Sequence, residues 1–233
     1  MPARKTSVLV VDDDPRIVRM VQRVLELHGY SVTSAPGGRS ALDTLGKEIP
    51  DLVIVDIMMP GMDGYTLCRR IREFSQVPII IVTARGDDHE KVKGLDAGAD
   101  DYICKPFSSK ELAARLKAVL RRTSFMDELG EAPFVCGGLH IDFASHKATL
   151  DGLDVDLTAT EYKLLSYLAR HAGQIVTADQ VLAAVWDDCY IGEYDLLRVN
   201  MARLRRKLGE DPASPRYIFT KHGIGYILQT EDR

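Results

Sequence analysis

The chain has 233 residues, of which 45% are hydrophobic and 27% charged, with a formal net charge of -4 at pH 7. That length suits two small domains better than one large one, and the acidic balance excludes nucleic-acid binding through bulk basicity, leaving only a local patch for it. No stretch reaches the ~20 apolar residues of a membrane span, and MPARKTSVLVV lacks a signal-peptide core, so the expectation is a cytoplasmic protein with no membrane partner.

From Ser7 to Arg122, short aliphatic runs alternate with amphipathic segments. VLVV (8–11), LVIV (52–55) and IIIV (79–82) are uninterrupted and rich in β-branched residues, as parallel strands covered on both faces must be. In PRIVRMVQRVLELHG, Ile17, Met20, Val21, Val24 and Leu25 share one helical face, and Gly29 closes the helix. The alternation predicts about five strands and five helices in residues 1–122, a doubly wound α/β domain around a parallel sheet.

TSFMDELGEA breaks that rhythm, and residues 123–132 read as a linker. Residues 133–233 differ in kind. FVCG, LHID, KATL and DVDL are short strand-like pieces between turn residues, the pattern of an antiparallel sheet. Three helices follow. The first opens with the capping box Thr158-x-x-Glu161, the second with Thr177-x-x-Gln180, and the third runs from about Glu193 to Leu208. RYIFTKHGIGYIL ends the chain as two strands around a Gly-containing turn, so this half is predicted to be an α+β winged helix. The cysteines (68, 104, 136 and 189) are scattered, without metal-ligand spacing, and read as reduced thiols.

Ligands of an open parallel sheet bind beyond the carboxyl ends of its strands. VLVV is followed by Asp12, Asp13 and Asp14, LVIV by Asp56, IIIV by Thr83, and DYIC by Lys105-Pro106. Carboxylates gathered so closely repel unless a cation joins them. With only oxygen donors on offer, a hard divalent ion such as Mg²⁺ is favoured. A cation and an ammonium beside one carboxylate suit phosphoryl transfer, because both neutralise phosphoryl oxygens while the carboxylate attacks.

DDD at 12–14, VDIMMPGMDG around Asp56, TAR at 83–85 and GADDYICKPF at 98–107 together resemble the receiver domain of bacterial two-component response regulators. The resemblance implies that Asp56 accepts a phosphoryl group from a sensor histidine kinase. It implies Mg²⁺ bound by Asp13, Asp56 and the Met58 carbonyl, with Asp12 assisting through water. It assigns Lys105 to the phosphoryl group, Thr83 to a hydrogen bond with it, and Tyr102 to an inward swing behind Thr83; the bond before Pro106 would be cis. Cys104 departs from the Thr or aliphatic residue usual there. Two other readings fare worse. A haloacid-dehalogenase-like phosphatase needs an acid two positions after its nucleophile, where this chain has Met58, and an FMN phosphate would be repelled by the acids.

In EYDLLRVNMARLRRKLGED, at about 100° per residue, Leu197, Met201, Leu204 and Leu208 form one stripe. The opposite face is read as Val199, Ala202, Arg203 and Arg206, flanked by Arg198 and Arg205 on one side and by Asn200 and Lys207 on the other. Cations with small apolar groups suit a major groove, where they meet phosphates, guanine edges and thymine methyls. The segment from LTATEYKLLSYLARHAG to GIGY resembles the effector domain of OmpR/PhoB-type regulators. That resemblance implies promoter DNA as a partner, with Lys221 and His222 on the wing, and a contact of the WDDCYIGEY loop with RNA polymerase. It also implies a homodimer on phosphorylation, through ion pairs of Lys91 with Glu111, Asp101 with Arg115 and Asp100 with Arg122. A receiver that dimerises without phosphorylation is the competing reading, and no enzyme activity beyond self-phosphorylation and dephosphorylation is expected.

Overall fold

A computed structural model describes residues 5–84, 88–123 and 132–230, without the side chains of residues 88, 89, 91, 122 and 123. Most of the expected linker, Arg85, and the side chains of Lys91 and Arg122 therefore lie outside the described residues. The chain divides into two compact units, Met1–Leu120 and Arg121–Arg233.

The first unit alternates strand and helix throughout. Its elements are β1 (Ser7–Val11), α1 (Pro15–Leu27), β2 (Ser31–Ala35), α2 (Gly38–Leu45), β3 (Leu52–Asp56), α3 (Gly64–Arg72), β4 (Ile79–Thr83), α4 (Asp88–Asp96), β5 (Asp101–Cys104) and α5 (Ser109–Thr123). All strand pairs are parallel, in the order β2-β1-β3-β4-β5. The continuous aliphatic runs are the central strands: every residue of β3 and β4 is buried, because helices cover both faces. Val8, Val10, Ile54, Ile80 and Val82 pack on Val21, Leu25, Leu112 and Leu116 in one such layer. Strand order reverses between β1 and β3, which opens a crevice at their carboxyl ends.

The second unit opens with an antiparallel sheet of β6 (Phe134–Cys136), β7 (Leu139–Asp142), β8 (Lys147–Leu150) and β9 (Leu153–Asp154), the four expected pieces in order. Then come α6 (Ala159–Arg170), β10 (Val176–Thr177), α7 (Ala178–Val185), a 3₁₀ turn at Asp188–Tyr190, α8 (Tyr194–Lys207), β11 (Ile218–Lys221) and β12 (Gly225–Leu228). Both capping boxes are formed, so Thr158 and Thr177 fix where α6 and α7 begin. The terminal hairpin gains a third strand, β10, which pairs antiparallel with β12. This sheet of three short strands beside three helices is a winged helix. β10 is only two residues long and merges with the cap of α7, so no periodicity announces it.

Candidate functional site

At the crevice, three consecutive aspartates leave β1 in three directions. Asp12 is buried, Asp13 is exposed, and Asp14 turns back to cap α1 by accepting from the Arg16 backbone N–H at 2.8 Å. The Arg16 side chain beside Asp14 holds its carboxyl well down, at about 2. Asp56 ends β3, only 5% exposed. Its Oδ2 accepts from the Met58 N–H at 2.9 Å, and its Oδ1 accepts from Lys105 Nζ at 2.6 Å. The same ammonium donates to Asp12 Oδ2 at 3.0 Å. Thus residues 12, 56 and 105, far apart in sequence, meet at the strand ends. The Lys105–Pro106 bond is cis.

Burial pushes the Asp56 carboxyl above its ordinary value, and the nearby Asp12 charge adds to that; the Lys105 ammonium opposes both. Burial alone would lower the Lys105 pKa, but its bonds to Asp56 and Asp12 outweigh this and leave it raised. The lysine therefore remains a cation beside the carboxylate. Oxygens of Asp12, Asp13 and Asp56 lie within 4.8 Å of one another, an all-carboxylate donor set that fits a hard divalent cation. Thr83 ends β4 and Tyr102 lies in β5; both are buried, with the Arg115 guanidinium 5.7 Å from the Tyr102 ring centroid. Gly64 is where the loop after Asp56 returns: a Cβ there would meet the Asp56 carbonyl oxygen and come 2.8 Å from Ile57 Cα. Any larger residue would push α3 off the strand end that carries Asp56.

Of the other receiver residues singled out in the sequence, Asp100, Asp101, Glu111 and Arg115 have partners within the chain. Asp100 is buried, accepting from Arg72 at 2.8 Å and from the Ile79 N–H at 2.9 Å. Asp101, fully buried, pairs with Arg115 at 3.3 Å, and Glu111 lies 3.6 Å from the same guanidinium.

In the second unit, α8 corrects the helical-wheel reading. Its exposed line is Tyr194, Arg198, Ala202 and Arg206, one residue per turn. Val199, Asn200 and Arg203, expected to face outward, are buried, and Lys207 is half-buried. The reason is that α8 is enclosed on more than half its circumference. Asn200 donates to the Leu196 carbonyl, Arg203 Nε lies 3.4 Å from the buried Glu161, and Lys207 Nζ reaches Glu161 Oε2 at 2.7 Å. Arg205 is buried too, donating to the Ile218 carbonyl and the Thr220 hydroxyl, each at 2.8 Å. Lys221 and His222 are exposed at the tip of the wing. A cleft of about 600 Å³ joins them to the start of α8, lined by Asp179, Tyr194, Arg198, Lys221, His222 and Tyr226. Tyr194, the last residue of the WDDCYIGEY loop, joins the exposed line four residues before Arg198. Glu161 was recognised only as half of a capping box.

Residues 8–117 match the family model "Response regulator receiver domain", and residues 152–228 match "Transcriptional regulatory protein, C terminal". The transcriptional regulatory protein KdpE of Mycobacterium tuberculosis (strain CDC 1551 / Oshkosh) is 41% identical over 224 residues, 96% of this chain and 99% of the relative. The sensory transduction protein RegX3 of Mycolicibacterium smegmatis is 39% identical over 226 residues, covering 96% and 99%. Among solved structures, the Thermotoga maritima response regulator DrrB, an OmpR/PhoB homologue, is similar with a TM-score of 0.52 and 32% identity, over 97% of this chain and 100% of that one. The chain belongs to the OmpR/PhoB family of two-component response regulators. It is a DNA-binding transcription regulator, not an enzyme.

Proposed function

We propose that Asp56 is the phosphoryl acceptor and that its modification controls promoter binding through a receiver dimer. The observation that carries this is the Lys105 ammonium bridging Asp56 and Asp12 at two buried strand ends. Asp56 attacks phosphorus as the carboxylate to form an acyl phosphate while the P–N bond of the kinase phosphohistidine breaks and its imidazole leaves, and burial strips the carboxylate of competing water. Lys105 then follows the charge onto the phosphoryl oxygens, and the Thr83 hydroxyl donates to them. Asp12, Asp13, Asp56 and the Met58 carbonyl would hold Mg²⁺, which supplies further neutralisation of phosphoryl charge when bound. Met58 leaves no acid two positions after the nucleophile, which favours a stored phosphoryl group over rapid turnover. The donor is a sensor histidine kinase.

On the output side, Arg198, Ala202 and Arg206 face the major groove of double-stranded promoter DNA, with Lys221 and His222 at the adjacent minor groove. Phosphorylation favours a homodimer through α4, β5 and α5, the stretch whose sequence carries Lys91, Asp100, Asp101, Glu111, Arg115 and Arg122. A second effector domain is then brought to a neighbouring half-site at high effective concentration. The loop from Trp186 to Tyr194 is the surface offered to RNA polymerase. No helix among the described residues is long and apolar enough to cross a membrane, and a chromosomal target places the site of action in the cytoplasm.

Incubation with radiolabelled acetyl phosphate and Mg²⁺ tests the acceptor. Asp56→Ala should take up no label, and equal labelling of that variant would refute the assignment. A second reading, in which the receiver dimerises unmodified, is favoured by Tyr102, which is already buried in this chain. Gel filtration with and without acetyl phosphate separates the two: a mass that doubles only with the phosphodonor supports control by Asp56.

A further inference from the structure

α8 carries five cations, Arg198, Arg203, Arg205, Arg206 and Lys207, and the structure sorts them by environment. Only Arg198 and Arg206 are exposed. Arg203 and Lys207 converge instead on Glu161, a carboxylate with no exposed surface at the start of α6. Glu161 Oε2 takes two donors at once, the Thr158 N–H at 2.8 Å and Lys207 Nζ at 2.7 Å. Lys207 also donates to the Asp156 carbonyl at 2.6 Å. The acid that begins α6 thus also meets α8 at two points one helical turn apart, by a hydrogen-bonded ion pair with Lys207 and by a 3.4 Å ion pair, without a hydrogen bond, between Oε1 and Arg203.

A buried carboxylate needs partners, since losing one leaves a charge without compensation. Two grips on a single acid fix both the height and the rotation of α8. Slipping the helix by one residue would turn it about 100°, carry both cations off Glu161 and move Arg198, Ala202 and Arg206 from the exposed line. We infer that Arg203 and Lys207 are positioning residues for DNA recognition: they act through Glu161 to set the phase of α8, and neither neutralises a phosphate. The inference rests on the reading of α8 as the DNA-facing helix.

The two kinds of cation differ in salt dependence. A cation that neutralises a phosphate contributes about 0.9 to the slope of log affinity against log salt, and a positioning cation contributes nothing to it. The probes are a duplex selected from a random pool by the full-length wild-type protein treated with acetyl phosphate, and a scrambled duplex of the same composition. Affinities are measured over a series of KCl concentrations, well below the melting midpoint of each variant.

Arg206→Ala should lower the slope on both duplexes. Lys207→Met should leave the slope unchanged yet weaken the selected duplex roughly tenfold or more, the scale of a misplaced base contact, while binding of the scrambled duplex stays the same. Lys207→Arg should restore discrimination. Glu161→Gln is the sharper probe, because it keeps all five cations and removes a negative charge. Phosphate contact by Arg203 and Lys207 predicts equal or tighter binding, whereas positioning predicts lost discrimination; if this variant does not fold, the Lys207→Met and Lys207→Arg pair decides. A slope reduced by Lys207→Met as by Arg206→Ala would overturn the positioning role alone. If Arg198→Ala and Arg206→Ala both left affinity and slope unchanged, α8 would not be the reading helix, and the role would fall with that reading.

Discussion

Lys105 and Asp56 form a 2.6 Å ion pair across the strand ends of the receiver sheet, with Asp12 on the other side of the ammonium. Burial raises the Asp56 carboxyl above its ordinary value, and the Lys105 ammonium opposes that. Replacing Lys105 by Met should therefore leave two carboxylates facing each other with less charge to join them. In EDTA the variant should lose up to about 3 kcal/mol of stability, at the low end for a broken buried pair because Lys105 is partly exposed. Mg²⁺ should restore much of the loss while phosphorylation by acetyl phosphate stays slowed about tenfold or more. Chemical denaturation with and without Mg²⁺ measures the first effect and label uptake the second.

Asp13 is the exposed member of the acidic group, so removing it tests the metal without disturbing the core. Asp13→Ala should melt within about 0.5 kcal/mol of the wild type in EDTA, as surface substitutions do. At Mg²⁺ near 100 times its dissociation constant, the wild type should gain about 2.7 kcal/mol by mass action. The variant should gain little at the same concentration. Equal stabilisation of both proteins would move the cation elsewhere.

Asp63 caps α3 by accepting from the Thr66 N–H at 2.7 Å. Its carboxyl is held below the usual value, first by the Thr66 hydroxyl and further by the Thr66 N–H, although burial opposes them. A depressed folded pKa gives stability that is present above the unfolded value of about 3.9 and lost as the pH falls through the folded one. Asn also caps helices but does not titrate there. Wild type should thus match or exceed Asp63→Asn above about pH 4 and lose that margin progressively as the pH falls from there through the lower folded value. Thermal melts of both proteins between neutral and acid pH would reveal the loss.

Arg205 ties α8 to the first strand of the wing through the Ile218 carbonyl and the Thr220 hydroxyl. Arg205→Met keeps the apolar stem and leaves those acceptors unmatched, a loss of about 1–3 kcal/mol. The cost should appear locally. Amides of β11 and β12 should exchange faster by roughly tenfold per 1.4 kcal/mol, while those of α6 keep their protection. A uniform loss across the domain would mean that Arg205 supports the whole fold.

The receiver was largely legible because its central strands are continuous aliphatic runs, so the residues after them had to lie together at one edge. Nothing longer than a single run was needed to place Asp12, Asp56, Thr83 and Lys105. The effector was legible in its elements but not in the phase of α8. In a sequence window charge signals solvent, yet Arg203 and Arg205 are buried against a carboxylate some forty residues upstream and a backbone carbonyl thirteen residues downstream. Partners that distant leave no periodic trace. Aliphatic residues find their place by aversion to water, which one sequence window can reveal; a buried cation needs a particular acceptor, which it cannot.

The aspartates at 12, 13 and 14 carry one more consequence. The chain changes from strand to helix across them, so one amino acid occupies three different environments in three consecutive positions. The conservative change to Asn should accordingly be felt in three ways. At residue 12 it weakens an internal ion pair, at residue 13 it removes an exposed charge from the acidic cluster, and at residue 14 it changes almost nothing, since Asn caps a helix about as well. A substitution table that scores residues by type would rate the three changes alike.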